Sequence, residues 1–257
     1  MTSDVTTRIS ARTVSKPTGR DGQVRATQNK ILRSLPNKEF SYVFPALEFV
    51  ELPTHTVLNE MSEPIAFAYF IESGLASVLN VMEDGKSVEV GLTGKEGFVG
   101  LPLLVGFTSS PSRVIMQIDG SGFRISAKEF AAALTECPAL EKSLQRFSQE
   151  MGVQATQVAA CNRLHEVDER LARWLLMSQD RIGGDVIPLT QEFLAHMLGT
   201  RRASVTLAAG MLQKAGLITY SRGEVNIENR KELEDASCEC YAAINRQSQN
   251  WRNEAKK

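Results

Sequence analysis

The spacing of apolar and polar positions changes several times along the chain, and each spacing implies a different element. Between Leu47 and Ile125 the apolar residues come in short runs: Leu47–Leu52, Phe67–Ile71, Leu75–Val81, Ser87–Leu92, Val114–Ile118 and Phe123–Ile125. Val88, Val90 and Leu92 alternate as in a half-buried strand. Turn-forming groups separate the runs: Glu72-Ser73-Gly74, Glu83-Asp84-Gly85-Lys86, Thr93-Gly94-Lys95-Glu96-Gly97 and Asp119-Gly120-Ser121-Gly122. Strands this short, broken this often, predict an antiparallel sandwich or jelly roll. Ahead of them Asn29–Ser34 and Lys38–Tyr42 read as short helices, the second bracketed by Pro36 and Pro45.

The period then lengthens. Ser126-Ala127-Lys128-Glu129 has the form of a capping box and predicts a helix through Leu134. Pro138 opens a longer helix, in which Leu140, Leu144, Phe147, Met151, Gln154, Val158, Cys161 and His165 recur at alternating steps of four and three. A heptad seam sustained this long favours a partner helix, so Leu140 to Cys161 are the expected dimer interface, with Gln154 trading stability for register. Burial of the same stripe on the chain's own strands is the other reading. Val167, Leu171, Trp174 and Leu175 begin a new apolar face, which predicts a bend near His165.

From Pro188 to Ile227 the pattern reads helix, tight turn, helix, hairpin. Thr190 suits an N-cap, Phe193, Leu194, Met197 and Leu198 follow at helical spacing, and Gly199 stops the helix. In the second helix Val205, Leu207, Ala208, Met211 and Leu212 form the expected buried side, and Ala208, Ala209 and Gly210 allow close approach. A hairpin turns at Arg222-Gly223. Asn229 then caps a last helix containing Leu233 and Tyr241, and the polar residues from Arg252 on are expected to fray.

Charge sharpens this picture. The net charge is only −1, yet the stretch from Pro188 to Arg222 holds Arg201, Arg202, Lys214 and Arg222 against Glu192 alone. Two short helices, the second opening on Arg-Arg, suit a recognition helix whose N-terminal residues reach base edges in a major groove. At 257 residues the chain has room for two domains. No apolar run approaches the ~20 residues that span a bilayer, the N-terminus lacks a signal-peptide core, and four Cys make no disulfide framework. A cytoplasmic protein with reduced thiols is expected. Residues 1–28, rich in Thr, Ser, Arg and Gly, read as a disordered tail.

Candidate chemistry is sparse. His55, His165 and His196 are scattered, and Cys238-x-Cys240 lacks the C-x-x-C spacing of zinc and redox sites. Cys161 reads as a small apolar residue of the seam. No nucleophile elbow, phosphate loop or carboxylate constellation is present. Neither catalytic residues nor metal ligands are expected, and no role is assigned to Cys238 or Cys240.

The stretch LTQEFLAHMLGTRRASV (189–205), with ML-x-x-AGLI and the hairpin after it, resembles the winged helix-turn-helix of the Crp–Fnr family of bacterial transcription regulators. Upstream, residues 69–106 resemble the family's cyclic-nucleotide-binding β-roll, with landmarks at Ile71-Glu72-Ser73-Gly74, Asp84-Gly85 and Gly97-Phe98-Val99-Gly100. The resemblance implies an α+β chain: a β-roll sensor over 29–135, a dimerisation helix over 136–166, a winged helix-turn-helix over 167–245 and a polar tail over 246–257. It implies a cytoplasmic homodimer on a palindromic operator in double-stranded DNA, with RNA polymerase as a further partner and no enzymatic activity. Matching the motif makes Arg202 the base-reading residue and puts Arg201 and Thr190 on phosphates. Ala203 then meets a thymine methyl, and Ser204 a base or a phosphate. The effector pocket would involve Gly97, Gly100, Leu101, Ser112 and Arg113. The cyclic-nucleotide branch has a Glu where Leu101 stands and Arg-Ser where Ser112-Arg113 stands, so cyclic AMP is not the expected effector. The iron–sulfur branch needs N-terminal cysteines, and this chain has none before Cys137. Another small effector, or none, is expected. A sensor or scaffold module acting through protein contacts is the alternative.

Overall fold

The computed structural model describes residues 11–14 and 27–254, leaving aside the side chain of Arg252. The order is β1 (Arg12–Thr13), α1 (Lys30–Ser34), α2 (Asn37–Val43), β2 (Glu48–Leu52), β3 (Val57–Asn59), β4 (Phe67–Val81), β5 (Ser87–Thr93), β6 (Phe98–Val99), β7 (Arg113–Ser126), α3 (Ala127–Glu136) and α4 (Pro138–Leu164). Then follow α5 (Val167–Ile182), β8 (Val186–Pro188), α6 (Gln191–Met197), α7 (Arg202–Lys214), β9 (Ile218–Ser221), β10 (Glu224–Ile227), α8 (Arg230–Ala236) and α9 (Cys240–Glu254). Two compact units result. One takes the chain up to Ser77 together with Thr93–Gln145, the other Val78–Leu92 together with Arg146 onward.

The N-terminal sheet has the order β1-β2-β7-β4-β5, with β3 on β7 and β6 on β4. Its core carries Leu52, Phe70, Leu75, Phe98, Met116, Ile125 and Phe130, all fully buried. Phe98 stacks between Phe70 and Phe130 at 6.0 Å from each, a spacing at which aromatic pairs attract beyond their area burial. Two strands are longer than their glycines suggest. Phe67–Val81 and Arg113–Ser126 each run unbroken through a group read as a turn. The reason is close approach: a Cβ on Gly120 would lie 2.0 Å from the Ser73 carbonyl oxygen, and one on Gly74 2.6 Å from that of Ile118. These glycines let two backbones pass each other.

The N-terminal stretch is partly ordered, contrary to the tail expectation. Arg12 and Thr13 pair with Glu51 and Val50 of β2. Residues 1–10 and 15–26 of that tail lie outside the described residues. The buried Glu72 carboxylate accepts from the Thr27 hydroxyl and from the backbone N–H groups of Gln28 (2.6 Å) and Asn29 (3.1 Å). Asn29 caps α1 through Ile31 and Leu32 and donates its amide to the Ile71 and Gly97 carbonyls. A carboxylate and an amide, both buried, are thereby satisfied by the segment that leads into the roll. Ser126 caps α3 as its sequence implies, accepting from the Glu129 N–H at 3.2 Å.

Helix α4 holds the largest correction. The seam assigned to a partner is covered by the chain itself: Leu140, Leu144 and Cys161 are 0% exposed, Gln154 2%, Phe147 and Val158 5%, and Met151 8%. Heptad spacing marks a buried stripe but not what buries it. Gln154 shows the cause directly, donating to the Leu92 carbonyl at 3.2 Å and accepting from Arg181 at 2.8 Å. The face left exposed runs through Gln145, Gln149, Gly152, Thr156, Ala159, Ala160 and Arg163. The chain bends at His165 as expected, and α5 restarts on a Glu166–Glu169 capping box. The single last helix is two, interrupted at Ser237–Glu239, and α9 continues to Glu254, well into the expected polar tail.

Gly120→Ala tests the strand crossing. It should lower stability by about 1–3 kcal/mol through forced backbone shifts. Gly184→Ala, with nothing within 4 Å of the added Cβ, should stay within about 0.5 kcal/mol of the parent. Urea denaturation of the full chain measures both, and equal midpoints would contradict the crossing.

Candidate nucleic-acid interface

Thr190 ends an extended segment, and its hydroxyl accepts from the Phe193 N–H at 3.2 Å, so α6 begins where the sequence places it. Gly199, at φ 58°, turns the chain, and α7 starts at Arg202 with Arg201 in the N-cap position. Thr206 ties the two helices together by donating to the Gln191 side chain at 2.7 Å. Buried Arg170 of α5 donates to the Leu198 carbonyl at the end of α6. Beyond α7, β9 and β10 form the hairpin and β8 adds a third strand. Arg222 and Gly223 both have positive φ, at 50° and 82°, the backbone twist a two-residue hairpin turn requires. The Gly223 carbonyl accepts from the Leu189 N–H at 2.6 Å, which anchors the hairpin beside Thr190.

Every residue expected to meet DNA is at this surface. Thr190, Arg201, Arg202 and Ala203 are exposed, and Ser204 is half-buried. Arg202 Nη1 lies 4.0 Å from Glu192, an exposed pair. The inner face of α7 needs correction. Val205, Ala208, Ala209 and Leu212 are buried, at steps of three, one and three, whereas Leu207 is 71% and Met211 57% exposed. Gly210 is exposed as well. Leu207 and Met211 sit one turn apart on the outer face with Ala203, where apolar character alone gave no hint of it.

The hairpin Val78–Leu92 packs in the same unit as these helices. Trp174 Nε1 donates to the buried Glu89 carboxylate at 2.8 Å, and the Trp174 ring meets Phe193 edge-on at 6.4 Å. A Cβ on Gly199 would stand 3.0 Å from Val88 Cγ2.

The expected effector residues are engaged within the roll. The Gly97 carbonyl accepts from Asn29 at 2.8 Å. Gly100, at φ 122°, would set a Cβ 3.2 Å from Ala68, and Leu101 opens a 3₁₀ turn. The Ser112 N–H donates to Ser110 Oγ at 3.1 Å. Arg113 Nε is 2.9 Å from Glu60 Oε1, so its charge is already paired with a carboxylate. The sequence reading passed over Glu60, because only the fold brings position 60 beside position 113.

It also passed over a group in the second unit. Cys161, His165, Cys238 and Cys240 place their Sγ and imidazole nitrogen atoms within 4.8 Å of one another. A hydrogen bond from the Cys238 thiol, aided by the charge of Arg173, pulls Cys161 toward the thiolate, and the same bond pushes Cys238 up. Burial opposes the protonated imidazole of His165, but the bond to Cys161 and the Glu239 charge outweigh it and raise its pKa.

Two family models match the chain. Residues 49–137 match a cyclic nucleotide-binding domain, and residues 169–236 match a Crp-like helix-turn-helix domain. The chain belongs to the Crp–Fnr family of transcription regulators. No curated protein matches it in sequence. Several solved structures share the Crp–Fnr fold at low identity. A transcriptional regulator of this family from Eubacterium rectale aligns at TM-score 0.63 and 16% identity, over 81% of this chain and 98% of the other. FixK2 from Bradyrhizobium japonicum aligns at 0.64 and 16%, over 75% and 98%. The c-di-GMP-responsive regulator CLP from Xanthomonas campestris aligns at 0.62 and 17%, over 75% and 99%. As a Crp–Fnr protein the chain is a DNA-binding transcription regulator, not an enzyme. Among the described residues no helix is long and apolar enough to cross a membrane.

The two faces of α7 are separable by substitution. Leu207→Ser should leave stability within about 0.5 kcal/mol of the parent, whereas Leu212→Ala should cost about 2–5 kcal/mol. Chemical denaturation reads both, and a large loss at Leu207 would reverse the assigned faces.

Proposed function

We propose that the protein is a dimeric regulator that reads a palindromic operator through α7, with Arg202 as its base-reading residue. The carrying observation is the exposed N-terminus of α7, where Arg201, Arg202 and Ala203 all stand free of the core. An Arg at this place can bond both O6 and N7 of a guanine, worth about 1–3 kcal/mol of discrimination. Arg201 in the turn and Thr190 at the α6 cap meet phosphates, which position the protein without reading sequence. Ala203, joined now by Leu207 and Met211, offers apolar contact to thymine methyls. Ser204, half-buried, reaches a phosphate or a base edge from the same turn.

Dimerisation uses the exposed face of α4, in place of the seam closed inside the chain. Gly152, Thr156, Ala159 and Ala160 are small and line that face, so two copies of the helix can approach closely about a two-fold axis. The signal reaches α6 through the hairpin Val78–Leu92, which touches α5 at Trp174 and the helix-turn-helix at Gly199. Shifting that hairpin shifts the population of DNA-competent dimers. No effector is assigned. Leu101 in place of a ribose-binding carboxylate, and Arg113 paired with Glu60, argue against a cyclic nucleotide. The cytoplasm is the compartment this reading requires.

Selection from a random DNA pool tests the recognition helix. Arg202→Ala should relax preference at one guanine in each half-site. Arg201→Ala should weaken all sequences alike and flatten the salt dependence. An enriched motif that survives Arg202→Ala unchanged would refute the assignment.

Sedimentation tests the interface. Ala159→Glu, on the exposed face, should give a folded monomer because like charges meet across the axis. Phe147→Glu, on the inner seam, should lose structure instead. A dimer that persists in the folded Ala159→Glu variant would move the interface elsewhere.

A further inference from the structure

Cys161 lies in the last turn of α4 and His165 directly follows the helix end, its N–H still donating to the Cys161 carbonyl at 3.1 Å, so the two stand one turn apart. The interruption between α8 and α9 brings Cys238 and Cys240 against them. Cys161 Sγ and Cys238 Sγ are 3.4 Å apart, and Cys240 Sγ and His165 Nδ1 3.5 Å. We propose that these four side chains form a tetrahedral site for one zinc-class divalent ion, closed to solvent and structural in kind.

The spacing selects the ion. A tetrahedral zinc with Zn–S bonds of about 2.3 Å holds its ligand atoms about 3.8 Å apart, and here all four fall within 4.8 Å. An iron–sulfur cluster interposes sulfides and several irons, and so spreads its thiolates farther than a single ion does. Three sulfurs and one imidazole are a common structural zinc set. All three cysteines are buried, which leaves no open position for a substrate.

The surroundings fit the same assignment. Glu239 Oε2 lies 3.0 Å from His165 Nε2. The carboxylate therefore accepts a hydrogen bond from Nε2–H and turns Nδ1 toward the sulfurs, the usual outer support of a metal-bound histidine. The Gln157 amide donates to Cys240 Sγ at 3.1 Å. Three thiolates on a divalent ion leave one net negative charge, and α5 supplies the buried guanidiniums of Arg170 and Arg173 beside Cys161. A buried cation needs such a counter-charge. The ion would tie the end of α4 to the α8–α9 junction, across the bend at His165 that leads into α5.

Metal analysis and cobalt titration of the full chain, purified under reducing conditions, test the site. One zinc per chain is expected. After chelation, one equivalent of Co²⁺ should give the visible bands of a tetrahedral site and a near-ultraviolet thiolate-to-cobalt band. Glu239→Gln should weaken Co²⁺ binding about 10–100-fold while leaving the ligands intact. Cys238→Ser should abolish the thiolate band or reduce it by a third. His165→Cys should keep the ion and strengthen that band, which separates loss of a ligand from loss of fold. Cys137→Ser, outside the cluster, should change nothing. Absence of stoichiometric binding, iron with acid-labile sulfide in place of zinc, or wild-type spectra in Cys238→Ser would each overturn the proposal.

Discussion

Helix α5 imposes the constraint on which the second unit depends. Ten consecutive residues, Arg170 to Gln179, are buried. A helix buried on all sides is ordinarily apolar all round, yet this one carries two arginines, a serine and a glutamine inside. An unsatisfied buried polar group costs about 1–3 kcal/mol, and although the Nε atoms of Arg170 and Arg173 stay without a partner, the other polar groups reach out to neighbouring elements. The partners are what organise the unit. Arg170 holds the Leu198 carbonyl, Trp174 holds Glu89, and Gln179 holds Asp185 at 2.7 Å and accepts from Arg230 at 2.5 Å. The turn before α7, the hairpin Val78–Leu92, the strand β8 and the start of α8 are thus each referred to one helix. A recognition helix positioned this way is set by polar geometry as well as by packing.

Much of this was legible from pattern alone. Caps at Ser126, Thr190 and Asn229 mark helix starts because their chemistry is local. The bend at His165 follows from a change of apolar face. The misreadings share one physical origin: sequence pattern reports a residue's character and not its neighbours. Gly74 and Gly120 are as good for turns as for a strand crossing, and only the opposite backbone decides between them. Leu207 and Met211 are apolar but lie two and six positions from Val205, off the inner stripe. The α4 seam has a sound period, and nothing local says whether its cover comes from the same chain or another.

The four-ligand cluster shows the same limit more sharply. Metal motifs are recognised when ligands fall close together in sequence. Here each half is incomplete by itself, one a Cys-x-x-x-His spanning the end of a helix and the other a Cys-x-Cys with too short a spacer. The halves are 77 residues apart, and the break after Ala236 that presents the second half carries no glycine or proline to announce it. The heptad also hid Cys161, since a small apolar residue at a seam position needs no further explanation.

Charge at the recognition surface follows from magnitudes. The chain's net charge is −1, so attraction to DNA is local and each acidic residue nearby matters. Glu192 is the acidic residue among the basic ones, 4.0 Å from Arg202 and 3.9 Å from His196. An exposed pair of this kind is worth at most about 1 kcal/mol, while a bidentate guanine contact is worth about 1–3 kcal/mol. If Arg202 reads a guanine as proposed, exchange of Glu192 for that guanine is favourable, and exchange for a base lacking O6 and N7 acceptors in that geometry is not. Without the guanine, Arg202 stays paired with Glu192, and its charge is withheld from the phosphates. On the proposed reading, the same side chain that weakens non-specific binding widens the gap between right and wrong sites.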